Sequence, residues 1–250
     1  MAVNKDSNGY TFGFAIALVV VVGAILASIA MATKPFQEKN EAVKKKMDIV
    51  KAILPKKEAE KVTRKNASGM FEDMVKLEDA IVLDINGNVK EGAQYEGDAI
   101  LDIDIKKEYR DKQLKDEDKS FPLFIAQDRD GNKSYVIPVV GKGLWGPVWG
   151  NICLANDRRT IKGATFDHKS ETPGLGAEIK QGFFIDRWIG EKITDEAGDP
   201  VTFEIVKDNS GAKEPVKVDG ITGGTITSKG VEEMVNRGMK PYIKYFKTLK

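Results

Sequence analysis

From Gly9 to Thr33 the chain runs for 25 residues without a charged side chain, rich in Val, Ala and Ile. As a helix this stretch would extend roughly 37 Å at about 1.5 Å per residue, enough to cross a bilayer. No second apolar stretch of that length occurs, so a single crossing is expected, with residues 1–10 as a short leading segment and 11–33 as the span. A signal peptide is the competing reading, because Lys5 precedes the run and Ala27-Ser28-Ile29-Ala30-Met31-Ala32 places small residues near its end. The run exceeds the core of roughly 7–15 residues typical of signal peptides, which favours a retained anchor.

Beyond the span, Val43, Met47, Val50 and Leu54 recur at three- and four-residue steps among lysines and glutamates. That spacing predicts an amphipathic helix over Glu38–Leu54 continuing the anchor and ended by Pro55, so residues 34–60 read as a helical connector. Its apolar stripe suits packing on its own domain or on a neighbouring protein better than lipid binding. Lys34, Lys39, Lys44, Lys45 and Lys46 follow the span while Lys5 precedes it. On the positive-inside count alone the large domain would stay in the cytoplasm, but long domains translocate largely regardless of such counts.

Residues 61–250 remain for a folded domain. A charged fraction of 31 % beside 41 % hydrophobic residues is that of an ordinary folded protein, and a net charge of +1 lacks the basic excess that nucleic-acid binding requires. Strand patterns cover Ile81–Ile85, leading into Asn86-Gly87-Asn88, then Ile100–Ile105, Pro122–Ala126, Ser134–Val140, Asn151–Ala155, Thr160–Phe166 and Val201–Val206, with a short strand before Asp219. Asp128-Arg129-Asp130-Gly131-Asn132 reads as a hairpin loop. Helices are expected from Ala177 toward Ile189 and over Thr227–Leu249, the latter with Val231, Met234, Val235, Gly238, Tyr242 and Phe246 on one face. Hairpins outnumber crossover helices, so the fold class is α+β: a single transmembrane helix, then a mainly antiparallel sheet with a C-terminal helix.

Elimination narrows the chemistry. One cysteine, Cys153, and one histidine, His168, cannot hold an iron–sulfur cluster by four thiolates or form a Cys/His zinc site. Asp98, Asp102 and Asp104 lack the glycine and terminal glutamate of an EF-hand loop, so no metal site is expected. There is no usable dinucleotide fingerprint or P-loop, and Gly141-Lys142-Gly143 does not supply one. His168, Ser170 and Glu171 lie close together but without a nucleophile elbow, and His168 reads as a hydrogen-bonded loop residue. If this chain moves electrons, an organic cofactor must carry them.

Asp219-Gly220-Ile221-Thr222-Gly223-Gly224-Thr225, followed by Ile226-Thr227-Ser228, sets a hydroxyl residue after two glycines at the mouth of a helix. Glycines permit close approach of a phosphate, and a helix N-terminus favours an anion. On local chemistry alone the segment reads more readily as a strand-to-helix turn with Thr227 or Ser228 as N-cap. The segment also resembles the flavinylation motif, in which an Asp is followed after several residues by Ser/Thr-Gly-Ala-Thr and the last threonine carries FMN. Thr222 and Gly223 fill the Ser/Thr-Gly positions, Gly224 stands where alanine is common, and Thr225 is the acceptor. Glu171-Thr172-Pro173-Gly174-Leu175-Gly176 resembles the isoalloxazine-binding loop of the same FMN-binding domain family, and Gly141-Lys142-Gly143-Leu144-Trp145-Gly146 its glycine-tryptophan segment. The three blocks follow the family's order, with an FMN-binding core over about 135–250, and the whole chain is similar to the C-subunit family of bacterial sodium-translocating NADH:quinone oxidoreductases.

The resemblance implies one covalent FMN per chain on Thr225, with Glu171, Thr172, Leu175 and Gly176 against the isoalloxazine, Leu144 and Trp145 lining it, and Thr222, Gly223 and Gly224 beside the phosphate. It implies electron relay and no catalytic residue of the chain's own. Partners would be neighbouring membrane proteins of the complex, its B, D and E subunits most directly, with electrons arriving from an iron–sulfur centre and leaving toward the flavin of the B subunit. It further implies a separate flavin transferase and an extracytoplasmic domain on a bacterial inner membrane. Three alternatives stand beside it: a flavoprotein like the G subunit of the ferredoxin:NAD oxidoreductase complex, a free-FMN reductase domain, and a cofactor-free anchored assembly module.

Overall fold

The computed structural model describes residues 7–127, 131–207, 211 and 214–249. The chain divides into two compact units between Val43 and Lys44. The first unit is helical and contains most of α1 (Asn8–Ile53). Its side chains are exposed from Phe12 through Met31, Phe14, Leu18, Val19, Ile25 and Leu26 among them. So long an uncovered apolar surface is costly in water, and the helix is long and apolar enough to cross a bilayer. Two of its hydroxyls are satisfied within the helix: Ser28 Oγ donates to the Ala24 carbonyl (2.7 Å) and Thr33 Oγ1 to the Ile29 carbonyl (2.9 Å).

The second unit begins at Lys44 and so takes in the last turns of α1, which the sequence reading placed in the connector. It is built on an antiparallel meander of β1 (Ile81–Leu83), β2 (Phe121–Gln127), β3 (Lys133–Lys142), β4 (Pro147–Leu154) and β5 (Ile161–His168), ordered as in the sequence. Local side chains close the turns: Asp84 Oδ1 accepts from the amides of Asn86 and Asn88, and Asp157 Oδ1 from those of Arg159 and Thr160. Of the expected β2–β3 loop, Asp128, Arg129 and Asp130 lie outside the described residues.

Because successive strand residues point to opposite faces, the meander has two cores. Val82, Phe124, Val136 and Cys153 pack with Ile49, Ile53 and Phe71 on one face, while Leu83, Leu123, Ile137 and Ile152 pack with Trp188, Met234 and Tyr242 on the other. Ile137 and Ile152 are fully buried, each worth roughly 1.5–3 kcal/mol relative to exposure. The stripe on α1 is a packing face on its own domain, with Val50 buried and Met47 and Leu54 partly so.

Four expected elements differ. Ile100–Ile105 is not a strand but parts of two short helices, Ala99–Asp102 and Ile105–Arg110, because Asp104 Oδ1 caps the second by accepting from the amides of Lys106 and Lys107, both at 3.0 Å. The helix expected from Ala177 toward Ile189 is broken into short turns at Gln181, which is extended at ψ 148. Ile179 and Phe184 are both buried, yet five residues apart they would face in different directions on one unbroken helix. Of Val201–Val206 only Glu204–Val206 forms a strand, since the amide and carbonyl of Phe203 are taken by the Asn236 side chain. That strand, β6, pairs in parallel with β7 (Lys217–Asp219) in a separate two-stranded sheet instead of completing the meander. The C-terminal helix is two, Thr225–Gly238 and Lys240–Thr248, because Pro241 supplies no amide to carry the first ladder onward.

Candidate cofactor site

Three segments meet at one end of the sheet. The tight β3–β4 turn, closed by the Gly143 amide donating to the Gly146 carbonyl (2.8 Å), carries Leu144 and Trp145. The segment after β5 carries Glu171, Thr172, Leu175 and Gly176, and the start of the Thr225–Gly238 helix carries Gly223, Gly224 and Thr225. All nine line one cleft of about 250 Å³, joined by Ile226 and Thr227, which the sequence reading did not place there. Thr222 stands exposed on the preceding turn, outside the cleft lining.

Thr225 is the first residue of its helix, not just ahead of it, and Gly224 is the N-cap without a side-chain hydrogen bond. Neither Thr227 nor Ser228 caps the helix. Ser228 Oγ instead accepts from the Ile221 amide (3.1 Å) and donates to the Gly224 carbonyl (3.0 Å), pinning the turn onto the first helical turn. Gly223 makes that turn possible at φ +74, where a Cβ would also lie 2.6 Å from Leu175 Cδ2. Upstream, Arg187 Nη1 donates to the carbonyls of Asp219 (2.6 Å) and Gly220 (3.2 Å), fixing the approach. The first-turn amides of the helix lack intrahelical acceptors and sit at its positive end, a setting that favours an anion at Thr225.

The floor of the cleft is polar and closed. Glu171 is only 4 % exposed. Its Oε1 accepts from the Trp145 amide (2.8 Å) and its Oε2 from Thr227 Oγ1 (2.5 Å), so one carboxylate ties all three segments together. Gly176 leaves room for it, since a Cβ there would lie 2.3 Å from Thr227 Oγ1 and 2.6 Å from Glu171 Oε2. His168, at the end of β5 and not in the loop, accepts the Glu171 amide at Nδ1 (3.1 Å). The rim is apolar and open: Trp145 is 67 % exposed, Ile226 61 %, Leu144 48 % and Leu175 41 %. Exposed apolar groups around polar anchoring atoms suit a flat aromatic ligand with an anionic tail, and FMN has that form. A larger cavity of about 890 Å³ near Arg159, Arg187 and Glu191 offers no such arrangement, because both arginines are committed to backbone carbonyls.

Residues 143–240 match the family model described as the FMN-binding domain, which contains every lining residue of the cleft. The cleft, with β4, β5 and the helix behind it, therefore lies within an FMN-binding domain. Among relatives, the C subunit of the Na(+)-translocating NADH-quinone reductase from Haemophilus ducreyi is 29 % identical, the match covering 98 % of this chain and 96 % of that one. Its counterpart from Yersinia pestis is 27 % identical over 96 % of this chain and 94 % of its own. A crystal structure of the counterpart from Parabacteroides distasonis is 34 % identical, superposes with a TM-score of 0.70, and covers 85 % of this chain and 96 % of its own. The chain belongs to the C-subunit family of the Na(+)-translocating NADH-quinone reductases.

Proposed function

We propose that this chain is the electron relay of a sodium-translocating NADH:quinone oxidoreductase, its C subunit, holding one FMN through a phosphoester to Thr225. The observation that carries the reading is the position of Thr225, first in a 14-residue helix and opening onto a cleft with an apolar rim. Bound there, FMN would supply one- and two-electron transfer, which no side chain of this protein supplies. The helix N-terminus and the backbone around Gly223 and Gly224 would stabilise the phosphate, with Thr222 on the adjoining turn. Leu144, Trp145, Thr172, Leu175 and Gly176 would seat the isoalloxazine and shield one side from water, while Glu171 holds the seat together from beneath. The phosphoester keeps the cofactor on the chain in every redox state. A separate flavin transferase would make the bond, so Thr225 is a modified residue and not a catalyst.

In the complex, residues 11–33 span the inner membrane, 34–60 lead out of it, and 61–250 stand on the extracytoplasmic side with the FMN core at about 135–250. Electrons would arrive from an iron–sulfur centre among the membrane subunits and leave toward the flavin of the B subunit, with the B, D and E subunits as the contacts. The test is NADH-driven quinone reduction by the complex assembled with Thr225→Ala. Loss of that activity in a fully assembled complex supports the relay; an undiminished rate overturns it.

A further inference from the structure

Glu171 is a buried carboxylate whose two oxygens are engaged by neutral donors, the Trp145 amide at 2.8 Å and Thr227 Oγ1 at 2.5 Å. Both oxygens are placed as acceptors, the role a carboxylate fills. Among the described residues Glu171 enters no ion pair. The carboxylate lies in the lining of the cleft, 4 % exposed, with no ion-pair partner among the described residues. So little exposure leaves it weakly screened by water.

We infer that Glu171 is a positioning residue with a second role: its fixed negative charge sets the midpoint potential of the flavin low, by opposing the negative charge that reduction adds. This rests on the reading of the cleft as the FMN seat. The electrons come from the donor protein and pass on to the next, and Glu171 neither gains nor loses a bond. Glu171→Gln removes the charge while keeping the shape. Its amide oxygen can still accept from Trp145, and its NH₂ can donate to Thr227, whose hydroxyl is able to accept. Glu171→Asp keeps the charge but shortens the reach, so it weakens the tie between segments.

The experiment is potentiometric titration of the full chain in detergent, produced with a flavin transferase, for the unaltered protein and both variants. Glu171→Gln is expected to favour the reduced flavin by roughly tenfold or more, a positive shift of about 59 mV for one electron, while Glu171→Asp stays near the unaltered value despite lower stability. A purely structural role would move Glu171→Asp at least as far as Glu171→Gln, and that result, or an unmoved Glu171→Gln, overturns the inference. If Glu171→Gln does not melt cooperatively, redox-difference infrared spectra carry the test. A carboxylate band that responds to reduction and shifts in Glu171→Asp supports the inference, and its absence overturns it. An unaltered chain without flavin defeats the function proposed above as well, whereas a flavinylated chain with an unmoved Glu171→Gln defeats the charge role alone.

Discussion

Replacing Gly176 by alanine probes the floor of the cleft by displacing Thr227 and Glu171 without substituting either. The new Cβ would sit 2.3 Å from Thr227 Oγ1 and 2.6 Å from Glu171 Oε2, where ordinary contact needs 3.4 Å or more, so one or both partners must move by about an ångström. The 2.5 Å bond between them cannot survive that displacement. A hydrogen bond to a charged group contributes about 1.5–3 kcal/mol, and overpacking a closed site costs about 1–3 kcal/mol. The two overlap because one movement causes both, so a loss of about 3 kcal/mol is expected. That is a large part of a typical domain's stability of about 5–15 kcal/mol, yet leaves it folded. Gly174→Ala, two residues away, is the control: φ is +75 but nothing lies within 4 Å of its Cβ, so only the left-handed backbone penalty of about 1–2 kcal/mol applies. Urea denaturation of both variants, followed by tryptophan emission, gives the two values. Equal destabilisation by the two substitutions would refute the packing account of the floor.

Other consequences are open to measurement. Burial pushes the Lys45 amine down from 10.5 to about 8, with the Asp104 charge opposing, while its Nζ donates to the carbonyls of Leu101 (2.6 Å) and Ile103 (3.0 Å). The unfolded chain therefore binds more protons between those values. Stability relative to Lys45→Met should rise by about 3 kcal/mol as pH climbs through that window, at roughly 1.4 kcal/mol per pH unit, and a flat difference curve would contradict it. Burial also pushes the Cys153 thiol up from 9.0 to about 11. Thiol reagents at neutral pH should label it only as fast as the domain opens, and rapid labelling of the native chain would show that strand face to be accessible. Tyr242 Oη donates to the Pro122 carbonyl at 3.0 Å inside the core, so Tyr242→Phe should lower the unfolding free energy by about 1–3 kcal/mol, and no loss would argue against that bond.

The meander was legible because its strands are short apolar runs, buried on both faces, and each turn carries its own chemistry, as at Asp84–Asn88 and Asp157–Thr160. Elements set by distant partners were not. Nothing local shows that the Asn236 side chain takes both backbone groups of Phe203, or that Ile179 and Phe184 must both reach one core. Ile100–Ile105 misled because alternating aspartates imitate a strand, whereas Asp104 is a cap. At the cleft, the resemblance of three glycine-rich blocks to one family implied which segments meet; the glycines by themselves read only as turns. Thr227 was missed because a hydroxyl at the head of a helix reads as a cap; its bond to Glu171 spans 56 positions of chain. Ile226 carried no signal beyond being apolar.

The central claim, a flavin bound covalently at Thr225, is tested most directly by the intact mass of the full chain and of Thr225→Ala, each produced with a flavin transferase and denatured before measurement. The account predicts an increment of one flavin mononucleotide and persistent flavin fluorescence in the unaltered chain, both absent from the variant. An unmodified mass in the unaltered chain, or an increment that persists in Thr225→Ala, would contradict it.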